Sequence, residues 1–222
     1  MPTKRKQRKK HNPRPRVDNN LTATKKIVKM PYCTSLGLNP GPGGVISHVF
    51  RANSIYDPDY TGVGHQPLTH DQYELFYEEY RVVRAELKVT PIAVNGTTQT
   101  PGVWGAFVDA DPVFSYSTST ACIEDKERTK SWKIHSGIQG ALYNDNYSLP
   151  IKRVFNAKKF LTPDGAENGA PFGSNPASGE YSAYFQIWAG SPDNSNDPGT
   201  LYYMVEIDYY VELTSPKVVT QS

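Results

Sequence analysis

The sequence predicts an all-β domain of antiparallel strands, and three observations support this class. Several segments alternate apolar and polar side chains with period two, which is typical of strands that bury one face. The 17 Gly and 18 Pro residues are spread along the chain, as expected for many short strands joined by turns. Tyr is unusually common, with 15 residues, and aromatic side chains favour pleated surfaces.

The alternation is clearest near the end of the chain, in residues 201–213. Every second residue there is apolar and is predicted to face the core: Leu201, Tyr203, Val205, Ile207, Tyr209, Val211 and Leu213. The acidic residues between them, Glu206, Asp208 and Glu212, are predicted to face solvent. Residues 81–92 follow the same pattern, and their predicted inward residues are Val83, Ala85, Leu87 and Val89. Both segments are therefore predicted as half-buried antiparallel strands.

Eight strands are predicted in all, at about 27–33, 45–52, 80–92, 103–109, 131–135, 151–160, 181–189 and 201–213. One helix is predicted between the second and third strands. Thr69 and Gln72 have the spacing of a capping box there, and an apolar stripe follows at helical spacing: Tyr73, Phe76, Tyr77 and Tyr80. Eight antiparallel strands in two packed sheets indicate a single jelly roll. Composition leaves a sandwich of another topology open.

Residues 1–30 carry much of the basic charge. They hold eleven Lys and Arg residues and one acid, Asp18, for a net charge of about +10. The whole chain has 24 Lys and Arg and 22 Asp and Glu residues, so residues 31–222 keep 13 and 21, a net charge of −8. Few apolar side chains lie before Ile27, and Pro13 and Pro15 interrupt any helix. We therefore divide the chain into a largely disordered basic arm, 1–26, and a jelly-roll domain, 27–222.

A flexible polycation is suited to a polyanion, because each Lys or Arg that meets a phosphate releases condensed counterions. The predicted nucleic-acid-binding residues are Lys4, Arg5, Lys6, Arg8, Lys9, Lys10, Arg14, Arg16, Lys25, Lys26 and Lys29. The run 4–10 also fits a nuclear import signal, so a host import receptor is an expected partner. A solubilising tail is the alternative reading of the arm.

Other features limit the classes of function. Cys33 and Cys122 are far apart and lack metal-ligand spacing, which indicates a reducing compartment and no disulfide framework. No apolar run reaches eighteen residues, so no membrane partner is expected. The charged N-terminus has no hydrophobic segment behind it, so we expect no secretory signal there.

Little in the sequence suggests catalysis. A metal or general base could be built from His65, His70 and Asp71, but no Ser or Cys nucleophile elbow accompanies them, so we expect no enzyme. His48 and His135 lie on predicted strands without the partner spacing of a cupin metal site. Four acids could gather Ca²⁺ at an interface, although residues of this type more often start turns: Asp57, Asp59, Asp109 and Asp111. No other cofactor is expected.

For two sets of residues the sequence permits two interpretations of their location. The strand cations could line an inner wall beside the arm or form the wet side of the strands: Arg81, Arg84, Lys88, Lys152, Arg153, Lys158 and Lys159. Tyr184 and Trp188 could anchor subunit interfaces or add a row of sheet packing.

Three stretches carry a resemblance to a known family: residues 50–59 (FRANSIYDPD), 62–67 (GVGHQP) and 71–82 (DQYELFYEEYRV). With the basic arm and the strand order, they resemble the capsid proteins of small circular single-stranded DNA viruses that encode a replication initiator. The resemblance implies a closed icosahedral shell, commonly of sixty copies (T=1), with the arms inside on the genome, in the virion and the host nucleus. It implies that the long loops 53–68, 110–130 and 162–179 make subunit contacts or the outer surface, and that His65 is a conformational or interface residue.

The resemblance favours a single-stranded DNA genome and leaves RNA open, because similar jelly rolls occur in satellite viruses with small RNA genomes. Two alternatives belong to other classes. One is a cellular module with a basic tail, in which a β-sandwich binds nucleic acid or carbohydrate. The other is an enzyme of the cupin type, which would need a His/Glu metal cluster on its strands.

Overall fold

The structure is a computed structural model that describes residues 23–92, 100–135, 149–176 and 182–218 of the 222-residue chain. Within these ranges it contains nine strands and four short helices. In chain order they are β1 (Lys25–Leu38), β2 (Val45–Arg51), α1 (His70–Glu74), β3 (Tyr77–Ile92), β4 (Gly102–Asp109), α2 (Ser119–Glu124), β5 (Trp132–His135), β6 (Ile151–Asn156), α3 (Ala157–Phe160), α4 (Pro163–Glu167), β7 (Ala170–Pro171), β8 (Tyr184–Gly190) and β9 (Leu201–Pro216). The eight predicted strands are all present, and the two-residue β7 is added.

The strands form two antiparallel sheets. The first has the order β1-β9-β3-β6, with β7 beside β3, and the second has the order β2-β8-β4-β5. The main strands pair as nested hairpins: β1 with β9, β2 with β8, β3 with β6, and β4 with β5. This nesting rolls one long antiparallel ribbon into two facing sheets, which is a jelly roll. The predicted fold class is confirmed.

The core lies between the two sheets and contains the predicted inward row of β9. All seven of its apolar residues, from Leu201 to Leu213, are fully buried. The sheets meet directly where the ring of Trp104 on β4 lies 5.0 Å from that of Tyr203 on β9. On the outer face, Glu212 was predicted to be solvated, but only 6% of its surface is exposed. Arg81 and Lys25 cover its carboxylate with ion pairs, so this part of the prediction is wrong.

A β-bulge in β3 changes which of its residues face the core. The register with β9 shifts between Val82 and Arg84. Val82 is therefore buried, and Val83 is not part of the buried core, contrary to the sequence pattern. Ala85, Leu87 and Val89 follow the bulge and are buried as predicted. A single extra residue in the strand has shifted the period-two pattern before it.

The predicted helix is much shorter than its aromatic stripe. α1 covers five residues, and Tyr77 and Tyr80 belong to β3. Thr69 has a φ of 73° and its side chain makes no cap hydrogen bond, so the predicted capping box is wrong. Tyr77 lies opposite Pro216 of β9, and pairing with that long strand outweighs a local helical pattern. The described residues also contain four short helices where one was predicted.

The predicted strand 151–160 ends early. β6 stops at Asn156, which lies opposite Arg84 at the bulge, and the next four residues form α3. Beyond the bulge, β7 occupies the place beside β3, with Ala170 opposite Tyr80. The position into which β6 would have continued is therefore taken by a later segment, and the chain turns away as a helix.

The loop 110–130 is part of the fold, because it carries α2 across the outer face of the second sheet. A small apolar cluster lies beneath it, formed by Val103, Phe107, Cys122 and Trp188. Trp188 is fully buried there, and Tyr184 packs edge-on against Tyr60 at 5.6 Å. Both residues therefore pack within the chain, and their interpretation as interface anchors is wrong.

Candidate nucleic-acid and assembly surfaces

Eight of the eleven predicted nucleic-acid-binding residues lie outside the described residues: Lys4, Arg5, Lys6, Arg8, Lys9, Lys10, Arg14 and Arg16. The other three, Lys25, Lys26 and Lys29, lie on β1. β1 begins two residues before the predicted boundary between arm and domain. The arm therefore continues directly into the edge strand of the first sheet.

The three lysines on β1 have partners within the chain. The Nζ of Lys25 lies 2.8 Å from Oε2 of Glu212, and that of Lys29 lies 2.7 Å from Oδ2 of Asp208. The hydrogen bond with Asp208 raises the pKa of Lys29. The Nζ of Lys26 lies 5.3 Å from the ring centroid of Tyr73. Lys25 and Lys29 are half-exposed, yet each already has an acid beside it, so much of their positive field is neutralised locally.

The cations on β3 form a ladder of ion pairs on the outer face of the first sheet. Their N–O distances are 2.6 Å for Arg81 with Glu212, 2.5 Å for Arg84 with Glu86 and 2.6 Å for Lys88 with Glu206. The half-exposed side chains of Arg84 and Lys88 agree with the solvated side of a strand, whereas Arg81 is mostly buried beside Glu212. Lys152 and Arg153 on β6 form a second group. They differ from the three paired cations of β3, because no carboxylate in the described part of the chain forms an ion pair with them.

Arg153 is the fixed centre of that second group. Its Nε donates to the carbonyl of Ala106 at 2.5 Å, its Nη1 to that of Lys152 at 2.8 Å and its Nη2 to that of Ser131 at 3.1 Å. The guanidinium thereby joins β6 of one sheet to β4 of the other. Burial lowers its pKa, but an Arg side chain stays charged in proteins.

An open groove of about 590 Å³ lies beside Arg153. We call it the basic groove; its charged and aromatic lining consists of Glu127, Arg128, Lys130, Lys152, Arg153 and Phe160. These residues come from β6, α3 and the loop before β5, which are far apart in sequence. The grouping is visible only in the folded chain, and sequence reasoning found Lys152 and Arg153 without Lys130 or Phe160.

The four candidate calcium ligands each have an internal partner. Asp57 pairs with Arg51 and Asp109 with Arg128, both at 3.1 Å, and Asp111 accepts from the backbone N–H of Val113. Asp59 lies 3.0 Å from His48 and accepts two hydrogen bonds from Thr61. Burial raises the pKa of Asp59 and these hydrogen bonds lower it, with a net downward shift. The structure spreads the four acids over separate contacts, and an interface calcium site stays a prediction.

The histidines do not form a cupin-like centre. His48 lies on β2 and His135 on β5, which are the two edges of the second sheet. With strands about 4.8 Å apart, the three strand spacings between them already amount to roughly 14 Å across the sheet, so they cannot share a metal. His135 is buried and donates to the carbonyl of Tyr202 at 3.0 Å, and burial lowers its pKa.

His65 and His70 lie in different surroundings. His65 is exposed and stacks on Tyr32 at 4.6 Å, which agrees with a conformational role. His70 is buried, and its Nδ1 lies 3.1 Å from Oδ1 of Asp71. With Glu74, these two form a group whose potential ligand atoms lie within 4.8 Å of one another. The group sits on a five-residue helix with Asp71 largely in solvent, so no metal or catalytic role follows from it.

Large apolar side chains are exposed around α1. Leu68, which precedes α1, is 69% exposed and Leu75, which follows it, is 72% exposed; Phe76 and Val218 are exposed as well. The backbone N–H of Lys217 donates to the carbonyl of Phe76 at 2.9 Å, which places the end of β9 at this patch. We call Leu75, Phe76 and Val218 the α1 patch; Leu68 is apart from it, because its backbone N–H donates to the carbonyl of Pro31 in the middle of β1. The sequence pattern had assigned Phe76 to a buried stripe, and this assignment is wrong.

No helix among the described residues is long and apolar enough to span a membrane; the longest has six residues.

The fold is similar to that of the protein in the semi-empty virus-like particle of the nodavirus of the giant freshwater prawn Macrobrachium rosenbergii. The TM-score is 0.50 at 10% identity, and the match covers 91% of this chain and 100% of the other. Two further matches are the 60-mer BFDV capsid protein (TM-score 0.43, 14% identity, 90% and 100% covered) and Desmodium yellow mottle tymovirus (0.45, 14%, 93% and 97%). No protein-family model and no curated protein matches the chain. At this identity the nodavirus likeness concerns the fold, and the chain is a single jelly roll of the kind found in that particle.

Proposed function

We propose that the chain is a viral capsid protein whose jelly roll assembles into a closed shell and whose basic arm binds the packaged nucleic acid. The observation that carries the proposal is the joining of two parts in one chain. Residues 1–16 hold eight Lys and Arg and no acid, and the arm runs into the first strand of a jelly roll. The role is structural, without catalysis, and the interior of the fold is filled by side chains.

The position of the arm supports this arrangement. Lys25 lies opposite Thr214 at the end of the sandwich that carries α1, and the hydroxyl of Tyr77 donates to the carbonyl of Ala23 at 3.2 Å. The base of the arm is thus held on the rigid domain, and the eight Lys and Arg residues of positions 4–16 precede this anchor. In a symmetric shell every arm would leave its subunit at an equivalent place, which concentrates positive charge on one side of the wall.

The α1 patch is the proposed contact between subunits. Isolated exposed apolar residues are common on proteins, but three large ones at the end of one short helix form a patch that water solvates poorly. Burying it against a second copy would stabilise the assembly by the hydrophobic effect.

Finer properties of the particle are also proposed. The resemblance to capsid proteins of small circular single-stranded DNA viruses supports a single-stranded DNA genome, a shell of sixty copies and residence in the host nucleus. The run 4–10 would be read by a host import receptor before assembly. Digesting the nucleic acid extracted from purified particles with deoxyribonuclease or with ribonuclease tests the nature of the genome.

Electron microscopy of the purified full-length chain tests the proposal as a whole. Uniform closed particles are expected. A discrete monomer or dimer that binds nucleic acid or a carbohydrate would instead identify the chain as a cellular binding module with a basic tail.

A further inference from the structure

The basic groove holds positive charge that the described part of the chain does not neutralise. Arg128 is paired with Asp109, but Lys130, Lys152 and Arg153 have no acid partner among the described residues. Arg153 contributes a partly buried charge held only by carbonyls and the hydroxyl of Ser131. Glu127 is the single acid that lines the groove. Three cations without an acid partner in the described chain thus lie beside one acid, a balance of charge that suits an anionic ligand.

An exposed aromatic ring lies in the same groove. Phe160, at the end of α3, is 38% exposed and rests edge-on against Phe155 at 5.8 Å. Nucleic-acid bases stack on aromatic rings in single-stranded complexes, while cations track the phosphates. A sulfated glycan would use the cations but has no aromatic base to stack on the ring. The pairing of phosphate-binding cations with an accessible ring therefore favours nucleic acid.

The groove is also near the base of the arm. Ile27, two residues after the start of β1, and Lys158 line one shallow pocket. Lys158 and Phe160 belong to the same four-residue helix, α3. A strand held by the arm can therefore reach the groove without crossing the molecule.

We propose that the basic groove binds a segment of single-stranded nucleic acid, as a second site on the rigid domain that is distinct from the arm. The proposal rests on the proposed function only in taking nucleic acid as the polyanion. Lys130 and Lys152 contact phosphates, Arg153 supplies a positive charge that is fixed at the bottom of the groove, and Phe160 stacks on a base. The arm would supply reach, and the groove would hold one segment in a defined place.

The experiment measures the affinity of the full-length chain for a fluorescent oligo-dT of about 30 nucleotides over a range of salt concentrations. The double variant Lys130→Ser/Lys152→Ser removes two exposed cations of the groove. Each phosphate contact on a single strand contributes about 0.7 to the slope of log K against log salt. The slope should therefore fall by about 1.4, which is about a 25-fold loss of affinity at 0.1 M salt relative to 1 M.

The matched control is Lys126→Ser/Lys217→Ser, which removes two exposed lysines that do not line the groove. Its affinity should change by less than about threefold, because neither lysine lines the groove and no phosphate contact there is lost. Phe160→Leu keeps apolar packing against Phe155 and removes the ring, and should weaken oligo-dT binding by about fivefold or more. Heparin oligosaccharide is measured in parallel and should not respond to Phe160→Leu.

The outcomes separate the two proposals. If the groove variant binds oligo-dT as the control does, the groove inference is wrong. It is also wrong if the groove variant loses heparin alone, which would make the groove a glycan site. A third variant, Lys4→Ser/Lys6→Ser/Lys9→Ser, tests the arm; unchanged binding there would contradict the proposed role of the arm and leave the groove standing. Circular dichroism verifies that each variant is folded.

Discussion

Glu212 shows how a single acid becomes part of the architecture. Its carboxylate binds Arg81 at 2.6 Å and Lys25 at 2.8 Å, and so ties β9 to its two neighbours, β3 and β1. Lys25 is thereby fixed at the point where the arm joins the domain. The sequence pattern indicated only an outward-facing position, because a pattern along one strand does not reveal cations on the strands beside it.

Replacing Glu212 with Gln should lower the free energy of unfolding by about 2 kcal/mol, because the mostly buried Arg81 loses its charged partner. Urea denaturation measures the change. The control is Glu206→Gln, whose ion pair with Lys88 is half-exposed and should contribute less than about 1 kcal/mol. Equal losses in the two variants would contradict a structural role specific to Glu212.

His135 should make the domain sensitive to acid. Burial lowers its pKa below that of the unfolded chain, so the unfolded state binds the proton more readily. Stability is therefore full above about pH 6.5 and falls as the pH decreases below it, by up to about 1.4 kcal/mol per pH unit.

The measurement compares urea midpoints at about pH 7.5 and about pH 5.5 for the wild type and for His135→Gln, which retains a donor for the carbonyl of Tyr202. The variant should lose less stability on acidification. The same pH dependence in both proteins would show that other groups cause it.

At the scale of elements, the sequence predicted strands better than it predicted their ends. All eight main strands were found, because each buries one or both faces and therefore carries an apolar signal. The predicted boundaries are wrong where pairing with another strand determines the secondary structure. The stripe containing Tyr77 and Tyr80 fits a helix locally, yet β9 offers a long partner strand. Likewise β6 ends because β7 takes its place beside β3. Pairing with distant segments leaves no mark in the local sequence.

The basic arm, the basic groove and the α1 patch also differ in whether the local sequence reveals them. The basic arm is a prediction that the sequence alone permits, because its charges are adjacent along the chain. The basic groove could not be predicted in this way, because Lys130 and Phe160 are thirty positions apart and meet only through the pairing of the strands around them. The α1 patch was missed because Phe76 fitted a helical stripe that does not form.

Gly105 tests the packing of the second sheet beneath α2. A Cβ at this position would lie 2.7 Å from Nε1 of Trp188, so the absence of a side chain lets the indole lie against β4. Gly105→Ala should destabilise the domain by about 1–3 kcal/mol through overpacking. Gly173→Ala is the control, since its Cβ would meet nothing within 4 Å. Thermal denaturation that ranked the two variants equally would contradict this packing.

At the scale of the whole molecule, the α1 patch should decide whether folded subunits assemble. Leu75→Glu places a charge in the patch at a site that is 72% exposed, so the monomer should remain folded while burial against a neighbour becomes costly. Sedimentation should show subunits in place of particles. Leu149→Glu, at a site that is 49% exposed and lies outside both the patch and the three long loops, should still give particles. Normal assembly of Leu75→Glu would exclude the patch as a contact.

The N-terminal segment and the rest of the chain carry net charges of opposite sign. Residues 1–26 are strongly basic and the rest of the chain is acidic overall, so in the proposed shell neighbouring domains would carry a moderate like charge while the arms would attract a polyanion. The jelly roll supplies a rigid shape, and the anchor at Ala23 and Lys25 fixes where the arm leaves it. These features support a subunit that couples shell geometry to nucleic-acid binding.

The most direct test of this coupling is the nucleic-acid content of material purified from cells that express the full-length chain or a chain without residues 1–20. The ratio of absorbance at 260 and 280 nm, with extraction of the bound nucleic acid, measures it. We predict particles filled with nucleic acid for the full-length chain, and folded subunits or empty shells for the shortened one. Equal nucleic-acid content in the two preparations would contradict the account.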